Sequence, residues 1–476
     1  MDRIGQKEKR FFGKELSFFA WHEISRADLL LLTLAAGFCF LTMYYSDITI
    51  TSRFSLTLWD SLFDGRLLSF YDNALASGVA PEGAVYDIGI YAVFAIWGLP
   101  VWILRNVAGL DPMSVGSLLW FKLLLAVSVA ACLRLFWQIA KELGYTKTVR
   151  AYASLVFLTS ATLFFPVMVA AQYDIIPLFF ILCGVFFWMK GEWKKFLIYF
   201  AVAATMKPFA LLPLAVLVLL REKRIRRILL YLALAVLPMF LLKGIYSLSA
   251  GYRASCGSFL TTMLPMLLRV SIHIDNVDMS LFAVGVIGIY IFAYWRKDGE
   301  SAVQNNRVAI LVLAGIWAVF CLFVEIYPYW SVYLTPFLVL VVLMCGRDCH
   351  VTLLLDLVLN VCMTAVFVFQ FEWVYGGERT FSYLVLKPLY ESLVRAGGVL
   401  PVAEALRLLS VDILLPAFGA GMAAAVGGIF LCAGWRLARG EEEESFLEIW
   451  HIRMRILVLH GWIAACLAVF VFSFKR

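Results

Sequence analysis

The stretch from Val149 to Asp174, VRAYASLVFLTSATLFFPVMVAAQYD, decides how this chain is read. Its apolar part, 149–171, is close to the roughly 20 residues that cross a bilayer core. It ends on Ala171-Gln172-Tyr173-Asp174, an amide and a carboxylate where the run meets water, and the next apolar run, 173–189, follows with almost no turn between them. Ionisable groups at membrane depth are costly and are functional suspects for that reason. Two more strings share this character. Asp47 follows Tyr44-Tyr45-Ser46 at the end of the first apolar run, and Lys207-Pro208 interrupts a later one.

Working outward, the whole chain has the same bias. Its 476 residues are 63% hydrophobic with a mean hydropathy of +0.88, too apolar for a soluble domain. Apolar runs of spanning length recur, and no alternating segments of the kind that build a membrane β-barrel are present, so the reading is an all-α polytopic membrane protein. The N-terminus is basic (Arg3, Lys7, Lys9, Arg10, Lys14) and lacks the small-residue cleavage site of a signal peptide, so the first run is expected to be kept as a helix. The net charge of +7 falls in short clusters at the ends of the runs, as membrane orientation requires, and does not form a nucleic-acid surface. Ten cysteines are scattered, with Cys256 the one clearly in an outer loop, so no disulfide framework is expected there. Cys345, Cys349 and His350 read as interfacial groups, since a metal site would need more ligands.

Thirteen spanning runs are expected, at about 28–45, 116–137, 149–171, 173–189, 196–206, 209–221, 228–246, 278–296, 307–325, 331–346, 351–371, 411–435 and 456–473. The stretch 86–104 is read as interfacial or re-entrant. If it crossed, every later basic cluster would move to the wrong side. The inside segments are then the N-terminus, 141–150, 190–195, 221–227, 296–307, Arg347 and 436–455, and the long outside segments are 46–115, 247–277 and 372–410. This places the N-terminus in the cytoplasm and the C-terminus outside a plasma membrane. The first outer loop carries amphipathic pieces at about 55–64 and 68–76, and the runs 196–206 and 209–221 form a short hairpin at Met206-Lys207-Pro208. Residues 1–345 are taken as one module and 346–476 as a set of C-terminal helices with the loop 372–410.

On this plan Asp47, Gln172, Asp174 and Lys207 face one side of the membrane. Lys207 is not explained by the positive-inside rule; a compact ammonium there suits a phosphate or a snorkel to outer headgroups. Lys122 lies near the outer end of its run and could join an anion site; Lys243, Arg253 and Arg269 are further outer cations. Glu325, Tyr329 and Trp330, in Glu325-Ile326-Tyr327-Pro328-Tyr329-Trp330, could stack on a sugar ring or sit in the lipid interface. Asp60, Asp64, Asp72 and Asp87 decorate the amphipathic pieces, and the acidic run Glu441–Glu444 reads as a solvated loop. Carboxylates and cations beside an interfacial loop suit transfer from an outer-leaflet lipid phosphate: a carboxylate deprotonates an acceptor hydroxyl, and cations stabilise the phosphate leaving group. Lysine or arginine can carry that charge, so this reading needs no cofactor, and it leaves room for a divalent metal without requiring one.

The same residues resemble a known family. An Asp just after the first helix, a long outer loop with interfacial helices, Gln-x-Asp at the end of the third span and Lys-Pro in a short hairpin are similar, in that order, to the GT-C superfamily of integral membrane glycosyltransferases. The likeness is nearest to bacterial polyprenol-phosphate-dependent, mannosyltransferase-like enzymes. It is densest over 116–213, with Phe121-Lys122-Leu123, Ala171-Gln172-Tyr173-Asp174 and Met206-Lys207-Pro208, and extends loosely through 46–104 and to Pro328-Tyr329-Trp330. The resemblance implies an inverting hexosyltransferase of the cell envelope that uses a polyprenyl-phosphate-linked sugar and a glycan or lipid acceptor. It implies Asp47 as base, Asp174 as a second carboxylate, and Lys207 with Lys122 at the donor phosphate. The chain departs from the family pattern in three places. Asp47-Ile48-Thr49 stands where some relatives have Asp-x-Asp, Ala171 stands in place of a glycine, and Tyr86-Asp87-Ile88-Gly89 replaces a proline-rich start; Asp60 and Asp87 are therefore alternative bases. A lipid-linked sugar flippase remains a second reading, as does a non-catalytic subunit or an envelope glycan polymerase, the polymerase kept open by Arg379, Lys387, Arg395 and Arg407 in the 372–410 loop.

Overall fold

The computed structural model describes residues 25–297, 299, 301–325, 328–344, 349–370, 402–439 and 448–473. The basic N-terminal segment, Cys345, Arg347, Arg379, Lys387, Arg395 and the run Glu441–Glu444 lie outside the described residues.

Helix α1 (Arg26–Thr42) opens on a reciprocal cap: the Ser25 hydroxyl accepts from the Asp28 N–H at 3.1 Å and the Asp28 carboxylate accepts from the Ser25 N–H at 3.0 Å. The chain turns extended at Met43 and starts α2 (Ser46–Phe63) at a bend of 60°. A helix that stops inside a protein leaves its last carbonyls without partners. Here the buried Lys122 ammonium supplies them, donating to the carbonyls of Cys39 (3.1 Å), Phe40 and Met43 (2.5 Å).

After α3 (Phe70–Ala76) comes α4 (Ile88–Ala108), one continuous helix that carries Pro100 within it. The expectation that 86–104 stays out of the bilayer meets a helix that is long and apolar enough to cross. It runs alongside α2 in the same direction, with Phe54 against Tyr91 and the Trp59 indole donating to the Ala95 carbonyl at 2.8 Å. It meets α5 (Val115–Glu142) near that helix's first turns, where Trp97 and Trp120 exchange indole-to-carbonyl hydrogen bonds of 2.8 and 2.9 Å.

The deciding stretch is not one straight helix. Helix α6 (Lys147–Leu158) stops at Thr159, a short turn over Ala161–Phe164 follows, and Phe165–Val169 winds as a π-helix, with a bend of 56° between the parts. Pro166 has no N–H to give, and the Ala161 N–H is taken by the Asn360 side chain at 2.6 Å, so the regular ladder gives way here. The chain then passes through Ala171, at φ +52°, and starts α7 (Ile175–Met189).

Helices α8 (Trp193–Ala204) and α9 (Leu211–Arg221) are parted by Lys207-Pro208; a residue before proline is pushed to extended backbone, and Lys207 sits at φ −145°, ψ 116°. Next come α10 (Ile225–Tyr246), α11 (Ser258–Leu268), the hairpin β1 (Ser271–Ile274) and β2 (Val277–Ser280), α12 (Leu281–Trp295), α13 (Ala302–Phe323) and α14 (Thr335–Leu343). Three C-terminal helices close the described chain: α15 (Cys349–Gln370), α16 (Leu415–Arg439) and α17 (Ile449–Ser473). They are tied to one another and to the front of the molecule by polar groups, buried except for the half-exposed Arg453. Asp356 of α15 accepts from Arg455 and lies 3.1 Å from His451 Nε2, Arg455 Nε donates to Thr159 at 3.1 Å, and Arg453 pairs with Asp28 at 3.2 Å.

Among the described residues, six helices are long and apolar enough to cross a membrane, or eight if each bent pair is one span. The protein is a multi-pass helical membrane protein. The thirteen expected runs are not all such helices: α7, α8, α9, α12 and α14 are 15, 12, 11, 15 and 9 residues long. Proline and turn residues cut these runs into pieces shorter than a bilayer core needs.

Candidate functional site

Three carboxylates come to one end of the bundle because each sits at the start of a helix. Asp47 is in the first turn of α2, Asp87 is the cap of α4, and Asp174 is the cap of α7. Helix N-termini present unpaired N–H groups and a partial positive charge, so they stabilise negative side chains there. The break between α1 and α2 is pinned to the break before α7 by the Tyr45 N–H, which donates to the Ala170 carbonyl at 3.1 Å. This brings Asp47 and Gln172 together: Asp47 Oδ2 accepts from Gln172 Nε2 at 3.0 Å and from the Tyr86 hydroxyl at 3.4 Å.

Asp174 is held on one oxygen. Its Oδ1 accepts from the Tyr333 hydroxyl at 2.9 Å and lies 3.2 Å from Lys207 Nζ. Its Oδ2, like Gln172 Oε1, is buried with no hydrogen-bond partner among the described residues. Buried acceptors of this kind are costly to leave without a donor. The Lys207 ammonium, with a side chain only 8% exposed, also lies over the rings of Tyr86, Tyr173 and Trp330, at 5.0, 5.3 and 5.9 Å from their centroids. The electron-rich faces of these rings stabilise the cation where water is scarce.

Gly89 makes this juxtaposition fit. A Cβ there would lie 2.5 Å from the Thr205 carbonyl oxygen, so only glycine lets the first turn of α4 lie against the turn that carries Lys207. Asp87, on the same turn, pairs with Lys243 at 2.9 Å. Burial pushes the Asp87 carboxyl above the ordinary aspartate range, and the neighbouring Lys243 charge only partly offsets it. Burial, and after it the Asp47 charge, likewise hold the Tyr86 phenol well above its usual range, so it remains a donor. Burial lifts the Cys256 thiol to about 12, which leaves it no nucleophile.

Lys207, Lys243 and Asp87 stand in the wall of one cavity of about 250 Å³. The rest of its lining is mostly apolar and includes Leu211, Leu212, Leu264, Leu267, Phe282 and Trp330. Its charged groups thus stand beside a mostly apolar wall.

The structure therefore gathers Asp47, Gln172, Asp174, Lys207 and Trp330. Asp87 and Lys243 share the cavity wall with Lys207, and Lys122, Glu325, Tyr329 and Asp60 are placed elsewhere. Lys122 caps α1 and does not reach the cluster, a correction that follows from the carbonyls its ammonium must satisfy. Glu325 lies on the rim in an exposed pair with Arg269 at 2.5 Å. Tyr329 is buried edge-on to Trp330, one residue back from the lysine. Asp60 is held by the Trp102 indole (2.8 Å) and by Arg105, away from Asp47. Sequence reasoning passed over Tyr333, for which no local signal exists, and over Tyr86 and Tyr173, which stood inside motifs read for their neighbours. Among the described residues no three His, Cys, Asp or Glu side chains come together as a metal site.

The sequence matches no described protein family, and no curated protein matches it. Among solved structures, one similar in shape is that of ArnT from Cupriavidus metallidurans bound to undecaprenyl phosphate. The two share 14% identity over 92% of this chain and 77% of that one, with a TM-score of 0.38.

Proposed function

We propose that the protein is a GT-C-type glycosyltransferase that moves a sugar from a polyprenyl-phosphate donor to a glycan or lipid acceptor at the outer face of the plasma membrane. The observation that carries this reading is the cavity in which Lys207 and Lys243 stand beside a mostly apolar wall. A lipid phosphate matches both parts: its charge meets an ammonium and its isoprenoid chain replaces water on leucine and phenylalanine. The donor's phosphate end then lies next to Asp174 and, through Tyr86 and Gln172, next to Asp47.

In the reaction, Asp47 takes the proton of the acceptor hydroxyl. The acceptor oxygen forms a bond to the anomeric carbon as the bond from that carbon to the phosphate oxygen breaks, with inversion. The bonding electrons leave with the phosphate, whose growing charge is met by Lys207 and Lys243. The empty acceptors Gln172 Oε1 and Asp174 Oδ2 are offered to hydroxyl groups of the sugar or the acceptor.

The test is mass spectrometry of envelope glycans and lipid-linked sugars in a deletion strain complemented with wild type or Asp47→Asn. Loss of one sugar, build-up of its lipid-phosphate donor and rescue by wild type alone are expected, since a general base is worth about 10²–10⁴ in rate. Equal rescue by Asp47→Asn at equal expression would remove Asp47 as the base.

A further inference from the structure

The hairpin β1–β2 stands apart from the site and has two unlike faces. Its register sets Ile272 opposite Met279 and Ile274 opposite Val277, and sets His273 opposite Asp278 and Ser271 opposite Ser280. Side chains alternate along a strand, so the four apolar residues share one face and the polar pairs share the other. On the polar face His273 Nδ1 lies 2.9 Å from Asp278. Among the described residues nothing covers the apolar face: Ile274 is 52% and Val277 67% exposed. A two-stranded hairpin is at best marginal alone in water, and this one shows its oily side.

The chain on either side indicates what covers that face. Ser280 ends β2 and also caps α12, its hydroxyl accepting from the Ala283 N–H at 3.3 Å, so no linker lets the hairpin swing away. Helix α12 exposes Val284, Ile287, Ile291 and Trp295, at spacings that make one side of a helix, which is a side for lipid. Just before β1, Leu264, Leu268 and Val270 are exposed as well. The hairpin thus joins two stretches of an apolar belt at its rim.

We propose that this hairpin is a membrane anchor, with Ile272, Ile274, Val277 and Met279 seated in the bilayer leaflet on the side of the Lys207 cavity and His273, Asp275 and Asp278 toward water. Lipid is the occupant because the hairpin runs directly into α12, whose exposed side is apolar, and its own apolar face holds no charged or polar group with which to select a protein. The same seat fixes α11, whose Met263, Leu264 and Leu267 wall the cavity, at the level of the leaflet.

The test uses the full chain in phosphatidylcholine vesicles at two protein-to-lipid ratios. Ile274→Cys, Val277→Cys, His273→Cys and Asp278→Cys are each labelled with an environment-sensitive nitrobenzoxadiazole dye, with labelled wild type subtracted for the native thiols. Labels at 274 and 277 are expected to emit to the blue and to be quenched several-fold more by doxyl-bearing lipid than those at 273 and 278, with the order reversed for iodide. Equal quenching at all four positions would overturn the anchor. So would labels at 274 and 277 shielded from both quenchers, which would mean that protein, this chain or a second copy, covers the face. Two positions per face keep the test readable if one variant does not fold.

Discussion

The Asp174 carboxylate and the Lys207 ammonium lie 3.2 Å apart and both are buried, although they belong to the ends of two different helices. Taking two charges out of water is expensive, and such a pair persists when further groups satisfy what remains. Here Tyr333 donates to the same carboxylate oxygen and three rings enclose the ammonium. The arrangement holds the lysine at the wall of a mostly apolar cavity.

Removing one partner should therefore cost stability as well as function. Lys207→Gln strands the Asp174 charge and is expected to lower stability by about 3–5 kcal/mol. Thermal unfolding in detergent measures this. Adding Asp174→Asn should restore most of the stability while polyprenyl-phosphate binding stays lost. A double variant that binds the lipid phosphate as wild type does would remove Lys207 from the phosphate site.

Lys122 should behave in the opposite way. Lys122→Met takes the lysine donor from the carbonyls at the end of α1, of which Cys39 alone keeps the Met43 N–H, at a cost of about 1–3 kcal/mol, but touches nothing in the cavity. Unfolding should shift while the KM for the lipid donor does not. A raised KM at unchanged stability would return Lys122 to the substrate.

Ala171 holds φ +52°, a conformation that costs a residue with a Cβ about 1 kcal/mol. Ala171→Gly relieves it and is expected to leave the protein as stable as wild type or more so, by up to about 1 kcal/mol. A glycine at this position would have a backbone reason, and a loss of stability in this variant would contradict it.

The Asp87 carboxyl titrates above the ordinary aspartate range because it is buried. As pH falls through that raised value, Asp87 loses its charge and Lys243 is left unpaired, so the cavity becomes more positive. Binding of a polyprenyl phosphate should tighten over that interval as long as the phosphate keeps its charge. Asp87→Asn should flatten the profile at the tight limit, and an unchanged profile in that variant would place the titration elsewhere.

Much of this site is written locally. Asp47, Gln172-Tyr173-Asp174 and Lys207-Pro208 stand out in the sequence because ionisable groups beside apolar runs are rare, and proline's own sterics force the break that presents Lys207. A membrane protein of many helices is likewise a matter of composition and run length.

Other features were out of reach of such reading. The run 149–171 is long enough to read as one span, yet it breaks, because Asn360 takes its backbone N–H and Pro166 has none to give. Lys122 and Lys207 are both lysines at the edge of apolar runs, yet one meets helix-end carbonyls and the other a carboxylate and three rings. Tyr333 joins the site from a segment with no polar motif. The sequence by itself determined the bilayer as solvent, the places where helices must stop and the charges left at those stops. Tertiary structure alone decided which charge meets which, because a buried ionisable group takes its role from the partners that packing brings within hydrogen-bond reach, and those partners lie far along the chain.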